Sequence, residues 1–287
     1  MQIEPIQTVA AMPPRPRAGH KGLFGRVLVV AGSHDMIGAP ALAGEAALRC
    51  GAGLVQVASP RAILAAVLTV TPELTGLGLP ETGGMDGLVE AAGKAHALIL
   101  GPGMGQGAAA KQRILRLIRL EKPAVVDADA LNILSAQRRW PATFSMRAVL
   151  TPHPGEMSRL APLLGCQGPV PPDDRGRKAL ATRAARACGQ VVLLKGHRTV
   201  VADGRRVYVN HTGDSSLSKA GSGDVLAGIL GCLLAQGMEP FDAACLAAHL
   251  HGRAGELAGA AMGRRCALAR DVIAWLPKAI RQHERGR

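Results

Sequence analysis

Aromatic side chains are scarce: three Phe, two Trp and one Tyr make up 2% of the 287 residues. Hydrophobic residues nevertheless reach 48%, so Ala, Val, Leu and Ile must fill the core. That mixture suits helices packed closely on a parallel sheet whose strands are buried on both faces. The same scarcity removes the stacking platforms that single-stranded nucleic acid needs. Basic residues are dispersed apart from a modest Arg-rich C-terminal segment, so the net charge of +13 favours acidic small molecules over nucleic acid, or serves solubility alone. No uninterrupted apolar run of about 18 residues occurs, which argues against a membrane-spanning helix. Met1 to Arg17 lack the apolar stretch of a secretory signal and carry Pro13-Pro14-Arg15-Pro16-Arg17, so residues 1–18 read as an arm ahead of a domain. The six cysteines contain no C-x-x-C pair, which indicates neither a zinc site nor a redox dithiol and fits buried free thiols in a reducing cytoplasm.

What is present is an alternation. Short aliphatic runs are followed by helical patterns: Arg26–Ala31 then Pro40–Cys50, Leu54–Ala58 then Arg61–Thr69, Ala97–Leu100 then Ala108–Leu120, Ala124–Asp127 then Ala130–Ser135, Ala148–Leu150 then Pro154–Leu164. This rhythm predicts an α/β fold with a mainly parallel central sheet and helices on both faces. Gly168–Arg177, rich in Pro, Asp and Gly, reads as a surface loop without chemistry. Beyond it come a helix at Ala179–Cys188, a buried strand at Val191–Leu194, and a hairpin of Thr199–Ala202 and Val207–Val209 closed at Asp203-Gly204. Two apolar helices follow, Asp224–Gln236 and Phe241–Ala258. No repeat or linker divides residues 19–287, which read as one domain.

Four clusters carry chemistry. Ala220-Gly221-Ser222-Gly223-Asp224 opens an apolar helix, where bare backbone N–H groups and the helix dipole favour an anion. Asp224 beside them would accept a proton from an attacking hydroxyl, or else simply cap the helix. Thr151-Pro152-His153-Pro154-Gly155-Glu156 follows a strand. Pro154 and Glu156 suit a helix start, whereas His153 has no evident structural part there and could donate to a substrate oxygen. Lys195-Gly196-His197-Arg198-Thr199 leaves a buried strand and suits a nucleotide phosphate, or is a solvated turn. Gly101-Pro102-Gly103-Met104-Gly105 is the ambiguous one: Gly103, Gly105 and Ala108 fit a loose dinucleotide fingerprint, with Asp127 placed for a ribose, which makes an NAD-dependent dehydrogenase a competitor. Gly32–Gly38 lacks the ending of a P-loop. His249 and His251, two apart on a helix, do not form a metal pair and read as packing residues.

These motifs, in this order, resemble the ADP-dependent NAD(P)H-hydrate dehydratases of the ribokinase-like superfamily. The resemblance covers roughly Gly19 to Ile280, through Lys21–Arg26, Gly38–Ala43, Arg49–Val55, Gly101–Gly105, Asp127–Asn132, Thr151–Glu156, Lys195-Gly196 and Asn210–Gly228. It implies substrate binding at Ala39, Gly103, His153 and Asp224. It also implies nucleotide binding at Lys195, Gly196, His197, Arg198, Thr199 and Gly223, and an anion hole at Gly221, Ser222 and Gly223. The implied reaction dehydrates the S-epimer of hydrated NADH or NADPH, with ADP (or ATP) as co-substrate and Mg2+ as the charge-neutralising ion, its ligands unassigned. Other expectations are a separate epimerase in the same pathway, a homo-oligomer, and no nucleic-acid or membrane partner. A small-molecule kinase of the same superfamily is the near alternative. Two departures stand out: Ser222 where Thr is common, and Asp214-Ser215-Ser216-Leu217-Ser218 where many relatives have Asn-Pro-Gly-Met-Ala, which adds a negative charge beside a phosphate site.

Overall fold

A computed structural model describes residues 3–166 and 168–286. In chain order the elements are β1 (Glu4–Ile6), β2 (Arg26–Val30), α1 (Gly38–Cys50), β3 (Leu54–Pro60), α2 (Arg61–Val70), β4 (Thr75–Leu79), α3 (Met85–Lys94) and β5 (Ala97–Leu100). Next are α4 (Ala108–Leu117), β6 (Pro123–Val126), α5 (Ala128–Ser135), α6 (Trp140–Thr143), β7 (Arg147–Leu150), α7 (Pro154–Leu160), α8 (Asp174–Cys188) and β8 (Val191–Leu194). The hairpin β9 (Val200–Ala202) and β10 (Arg206–Val209) precedes α9 (Ser222–Ala235), α10 (Pro240–Met262) and α11 (Ala269–Arg285).

The strands form one ten-stranded sheet in the order β1-β10-β9-β8-β7-β6-β5-β2-β3-β4. Among the described strands only β9 runs against its neighbours; the other pairs are parallel. Glu4–Ile6, in the segment expected as an arm, pairs in parallel with β10 and extends the sheet.

Alternation of side chains along each strand feeds two cores. Val27 and Val29 face α1, α9, α10 and α11, while Leu28 and Val30 face the side covered by α3, α4, α5 and α8. Near-complete burial of a Val or Leu side chain contributes about 1.5–3 kcal/mol, and the central strands are apolar at almost every position. The poverty in aromatics has a geometric counterpart where α1 crosses α9. A Cβ on Gly228 would come within 2.2 Å of the Ala43 carbonyl oxygen, so the two helices approach to backbone contact. That crossing seats α9 against α1, and with it the glycine turn at its start.

Several elements escape the sequence pattern. In β4 two glycines interrupt the aliphatic run, in α11 Pro277 sits inside a 17-residue helix, and α3 follows Gly83-Gly84 with only two fully buried residues; each weakens a periodic signal. The loop expected over 168–177 ends earlier than anticipated: Asp173 caps α8, whose first turn holds Asp174, Gly176 and Arg177. The helix expected to reach Leu164 ends at Leu160 and tightens into a 3₁₀ turn at Ala161–Leu164.

Candidate active site

A cleft of about 760 Å3 opens at the carboxyl ends of β5 to β8 and faces the start of α9. Ligands of open α/β sheets collect in this position, where strands end and helix N-termini converge. All four sequence clusters border it: Gly103 after β5, His153 after β7, Lys195–Thr199 after β8, and Gly221–Asp224 at α9. Ala39, expected at the substrate, is buried beneath this surface and packs against Gly103, whose added Cβ would lie 3.0 Å from that of Ala39.

Gly221, at φ 88°, is the N-cap residue of α9, and no side chain caps the helix. Asp224 stands in the first turn without performing the capping role, and among the described residues it accepts no hydrogen bond. Burial and the neighbouring negative charge of Asp127 push its pKa up to about 7, against the pull of Lys195. A carboxylate poised between its two protonation states at neutral pH suits a proton acceptor.

Lys195 holds the floor of the cleft. Its Nζ lies 2.7 Å from Asp127 Oδ1 and 3.8 Å from Glu156 Oε2. Burial opposes its charge, but Asp127, Glu156 and Asp224 outweigh that cost and hold its pKa above the ordinary lysine value. Glu156 moves upward because burial and Asp127 outweigh the attraction of Lys195 and His153. Lys195 is therefore the counter-ion of the acidic residues around it.

The segment that follows is shaped by Arg177. Its guanidinium donates to the carbonyls of Leu194 (3.1 Å), Lys195 (3.1 Å), Arg198 (3.2 Å) and His197. Arg198 takes a left-handed backbone (φ 57°) and pairs through Nε with Asp174 at 2.9 Å. Turning four carbonyls onto one side chain folds residues 195–199 into a tight loop along the cleft. Arg177 lies at the end of the stretch expected to be a surface loop, and the structure gives it this ordering part.

His153 also has a structural part that its sequence position concealed. It is the N-cap of α7: its Nδ1 accepts from the N–H of Gly155 (3.0 Å) and Glu156 (3.4 Å), while Glu156 Oε2 accepts from the His153 N–H (2.8 Å). With Nδ1 occupied as an acceptor, Nε2 is the ring's donor; it lies 3.4 Å from Glu156 Oε1, and the side chain is half exposed in the cleft.

Behind the Gly221–Gly223 turn, Ser222 Oγ is 3.1 Å from His251 Nε2. Desolvation pushes the pKa of the buried His251 down to about 4, against the pull of the Ser222 backbone, so the imidazole is neutral at physiological pH. Its neighbour by sequence, His249, instead packs on the ring of His283 at 5.5 Å. The two histidines diverge as expected, but His251 borders the cleft. The negative charge of Asp214 is also answered: Oδ1 accepts from Ser216 N (2.9 Å) and Oγ (2.6 Å), and Oδ2 from Arg264 Nε (2.8 Å). These bonds overcome burial and keep its pKa low, and Asp214 caps a 3₁₀ turn at Ser215–Leu217.

The dehydrogenase alternative fails on geometry. Asp127 is bound to Lys195 and 2% exposed, so it does not present a carboxylate to a ribose. The Gly105 N–H, needed for a pyrophosphate, already donates to Asp129 Oδ2 at 2.9 Å.

Fold and site together define a ribokinase-like α/β protein with an uncapped helix N-terminus beside a partly buried carboxylate. A family profile described as NAD(P)H-hydrate dehydratase matches residues 27–278, and the chain belongs to that family. It is 43% identical, over 95% of its length, to the bifunctional NAD(P)H-hydrate repair enzyme Nnr of Moorella thermoacetica, and spans 52% of that protein. It is 40% identical to the ADP-dependent (S)-NAD(P)H-hydrate dehydratase of Neisseria meningitidis, covering 93% of this chain and 89% of that one. The ADP/ATP-dependent NAD(P)H-hydrate dehydratase of Bacillus subtilis, co-crystallised with ATP and Mg2+, superposes with a TM-score of 0.80 at 30% identity, over 96% of this chain and 95% of the other. The chain thus spans about half the length of the bifunctional relatives it matches.

Proposed function

We propose that the protein restores NADH and NADPH from the S-epimers of their hydrates, converting ADP to AMP and phosphate. The observation that carries this reading is Asp224, a partly buried carboxylate free of hydrogen bonds in the first turn of a helix whose N-terminus is uncapped. Hydroxide is a poor leaving group. In the proposed sequence Asp224 takes the proton of the ring hydroxyl as its oxygen attacks the β-phosphorus of ADP, and the bond from phosphorus to the AMP oxygen breaks. Phosphate then leaves the ring carbon, the adjacent carbon loses its proton to solvent, and the ring double bond forms. The N–H groups at Gly221 and Gly223 face the transferring phosphoryl in this reading, where preorganised donors are worth most, while the Ser222 N–H donates to the Lys219 carbonyl at 3.3 Å and is released only if the phosphoryl displaces it. Ser222 is pinned from behind by the neutral His251.

The nucleotide lies along Lys195, Gly196, His197, Arg198, Thr199 and Gly223 in this reading, and the hydrate reaches His153 and Gly103. Support for the division is local: the loop 195–199 is folded by Arg177 along one side of the cleft, and Gly103 and His153 border it from the other strand ends. For magnesium, no group of three or more His, Cys, Asp or Glu side chains among the described residues converges on one point, and Asp127 and Glu156 are engaged by Lys195. The donor set therefore fits an ion carried mainly by nucleotide phosphates and water, where it would neutralise phosphate charge.

Cytoplasmic residence, homo-oligomeric assembly and an epimerase activity supplying the S-epimer complete the proposal. None of the described helices is long and apolar enough to cross a membrane, and the six free cysteines fit a reducing compartment. The test follows the return of NADH absorbance from its hydrate with and without ADP, with phosphate and AMP measured. Asp224→Asn should lower turnover by about 10²–10⁴-fold, the size of a lost general base, with ADP affinity nearly unchanged. Recovery independent of nucleotide, or release of a phosphorylated substrate in place of inorganic phosphate, would sink the reading.

A further inference from the structure

The buried face of α10 is built from small and aliphatic residues, and among its described residues His251 is the one buried side chain that is polar, at 8% exposure. Burying an imidazole is unfavourable unless its nitrogens find partners. The partner lies on the neighbouring helix: Nε2 is 3.1 Å from the Oγ of Ser222, in the first turn of α9 and two residues before Asp224. Both side chains border the main cleft. Ser222 is 6% exposed, and among the described residues its hydroxyl meets no partner other than this ring. Its N–H is already engaged by the Lys219 carbonyl at 3.3 Å. What Ser222 can offer to a bound anion without breaking a bond is therefore its hydroxyl.

The direction of that hydroxyl depends on the ring behind it. His251 is neutral at physiological pH, so it has one N–H and one acceptor nitrogen. A single ring hydrogen is best placed where an acceptor waits, since orphaned donors are rarer in proteins than orphaned acceptors. Nε2 faces Ser222 Oγ, whereas Nδ1 meets no partner among the described residues. The Ser222 main chain also favours a proton on the ring, as a nearby carbonyl does.

We propose that His251 is a positioning residue: it donates from Nε2 to Ser222 Oγ and so turns the hydroxyl hydrogen of Ser222 toward the phosphoryl group in transit between ADP and substrate. The proposal rests on phosphoryl transfer at Asp224 as read above. With the ring hydrogen on Nδ1 instead, Nε2 would take the Ser222 hydrogen and leave an oxygen lone pair facing the phosphoryl oxygens, which repel it. With it on Nε2, the hydroxyl is a preorganised donor in a site sheltered from water, where such donors act most strongly on developing charge.

Two measurements test this, the first of them independent of catalysis. In the unaltered protein carrying isotope-labelled histidine, proton–nitrogen correlation spectra should show the ring of His251, identified by the signals lost in His251→Gln, with its hydrogen on Nε2. A hydrogen on Nδ1 overturns the proposal. The second measurement is repair of hydrated NADH with ADP. Ser222→Ala should lower kcat by at least about tenfold and leave the KM of the hydrate and the affinity for ADP nearly unchanged, the mark of a contact made in the transition state. Ser222→Thr restores a hydroxyl and should recover most of that loss. His251→Gln keeps an N–H near the place of Nε2 and should be faster than His251→Leu. Added to Ser222→Ala, His251→Leu should cost nothing further, because no hydroxyl is left to aim. Losses that multiply, a loss confined to KM, or an undiminished kcat in Ser222→Ala overturn the proposal and leave the dehydratase reading intact. Should His251→Leu not fold, the spectrum of the unaltered protein and the kinetics of Ser222→Ala decide. Absence of ADP-dependent repair in the unaltered protein overturns both.

Discussion

Asp224 owes its chemistry to three neighbours. Burial and the charge of Asp127 disfavour its ionised form, and Lys195 favours it, so its pKa of about 7 is a balance that single substitutions should move in known directions. Asp127→Asn removes the repulsion and frees Lys195, now left with Glu156 at 3.8 Å, to act more strongly on Asp224. Both effects lower the Asp224 pKa. If Asp224 is the base, the acid limb of the kcat/KM profile lies near pH 7 in the unaltered protein and moves to lower pH in Asp127→Asn. A limb that stays put or rises removes Asp224 from that role. The sequence revealed Asp224 through its glycine setting, since a glycine turn before an apolar helix is a local pattern. It did not reveal that Asp127, Glu156 and Lys195 share a site. Those residues follow three different strands, and only the sheet order β6-β7-β8 brings them side by side.

At the scale of elements, the most legible features were those with unbroken aliphatic runs. β2, β5 and β8 fall where the sequence puts them, because fully buried parallel strands tolerate few other residues. The features lost were those whose order depends on distant partners. His153 seemed to lack a structural part because a histidine N-cap is uncommon, yet it closes a reciprocal box with Glu156. Arg177 was hidden at the end of a Pro- and Asp-rich stretch, and its four carbonyl partners are 17 to 21 residues away. Its removal should be felt in the loop more than in the sheet. Arg177→Met, which keeps the aliphatic stem, releases the carbonyls of residues 194–198. Each hydrogen bond to a charged group contributes about 1.5–3 kcal/mol, so stability should fall by at least that amount. If the loop holds the nucleotide, ADP affinity measured by calorimetry should drop by about tenfold or more. A destabilised variant that binds ADP as before would take the nucleotide off this loop.

Across the whole molecule, the site opposes the stability of the fold that carries it. The sheet and its two cores bury apolar residues almost without interruption, while the cleft gathers Asp127, Glu156, Asp224 and Lys195, of which Lys195 compensates only part. An acid whose pKa is higher in the folded than in the unfolded chain binds its proton more tightly when folded, so its ionisation works against folding. For Asp224 the favourable contribution is complete below the unfolded value of 3.8 and is lost as pH rises through about 7. Above that, the buried carboxylate is charged in both states at a cost of up to about 4 kcal/mol. Asp224→Asn removes the charge and keeps the shape. The variant should therefore match the unaltered protein in denaturant melts near pH 4, pull ahead between pH 4 and 7, and hold a constant advantage at pH 8, where it has also lost its activity. An advantage present equally at every pH would point to packing as its source, and no advantage at pH 8 would mean that Asp224 pays no desolvation cost and is not the tuned base proposed here.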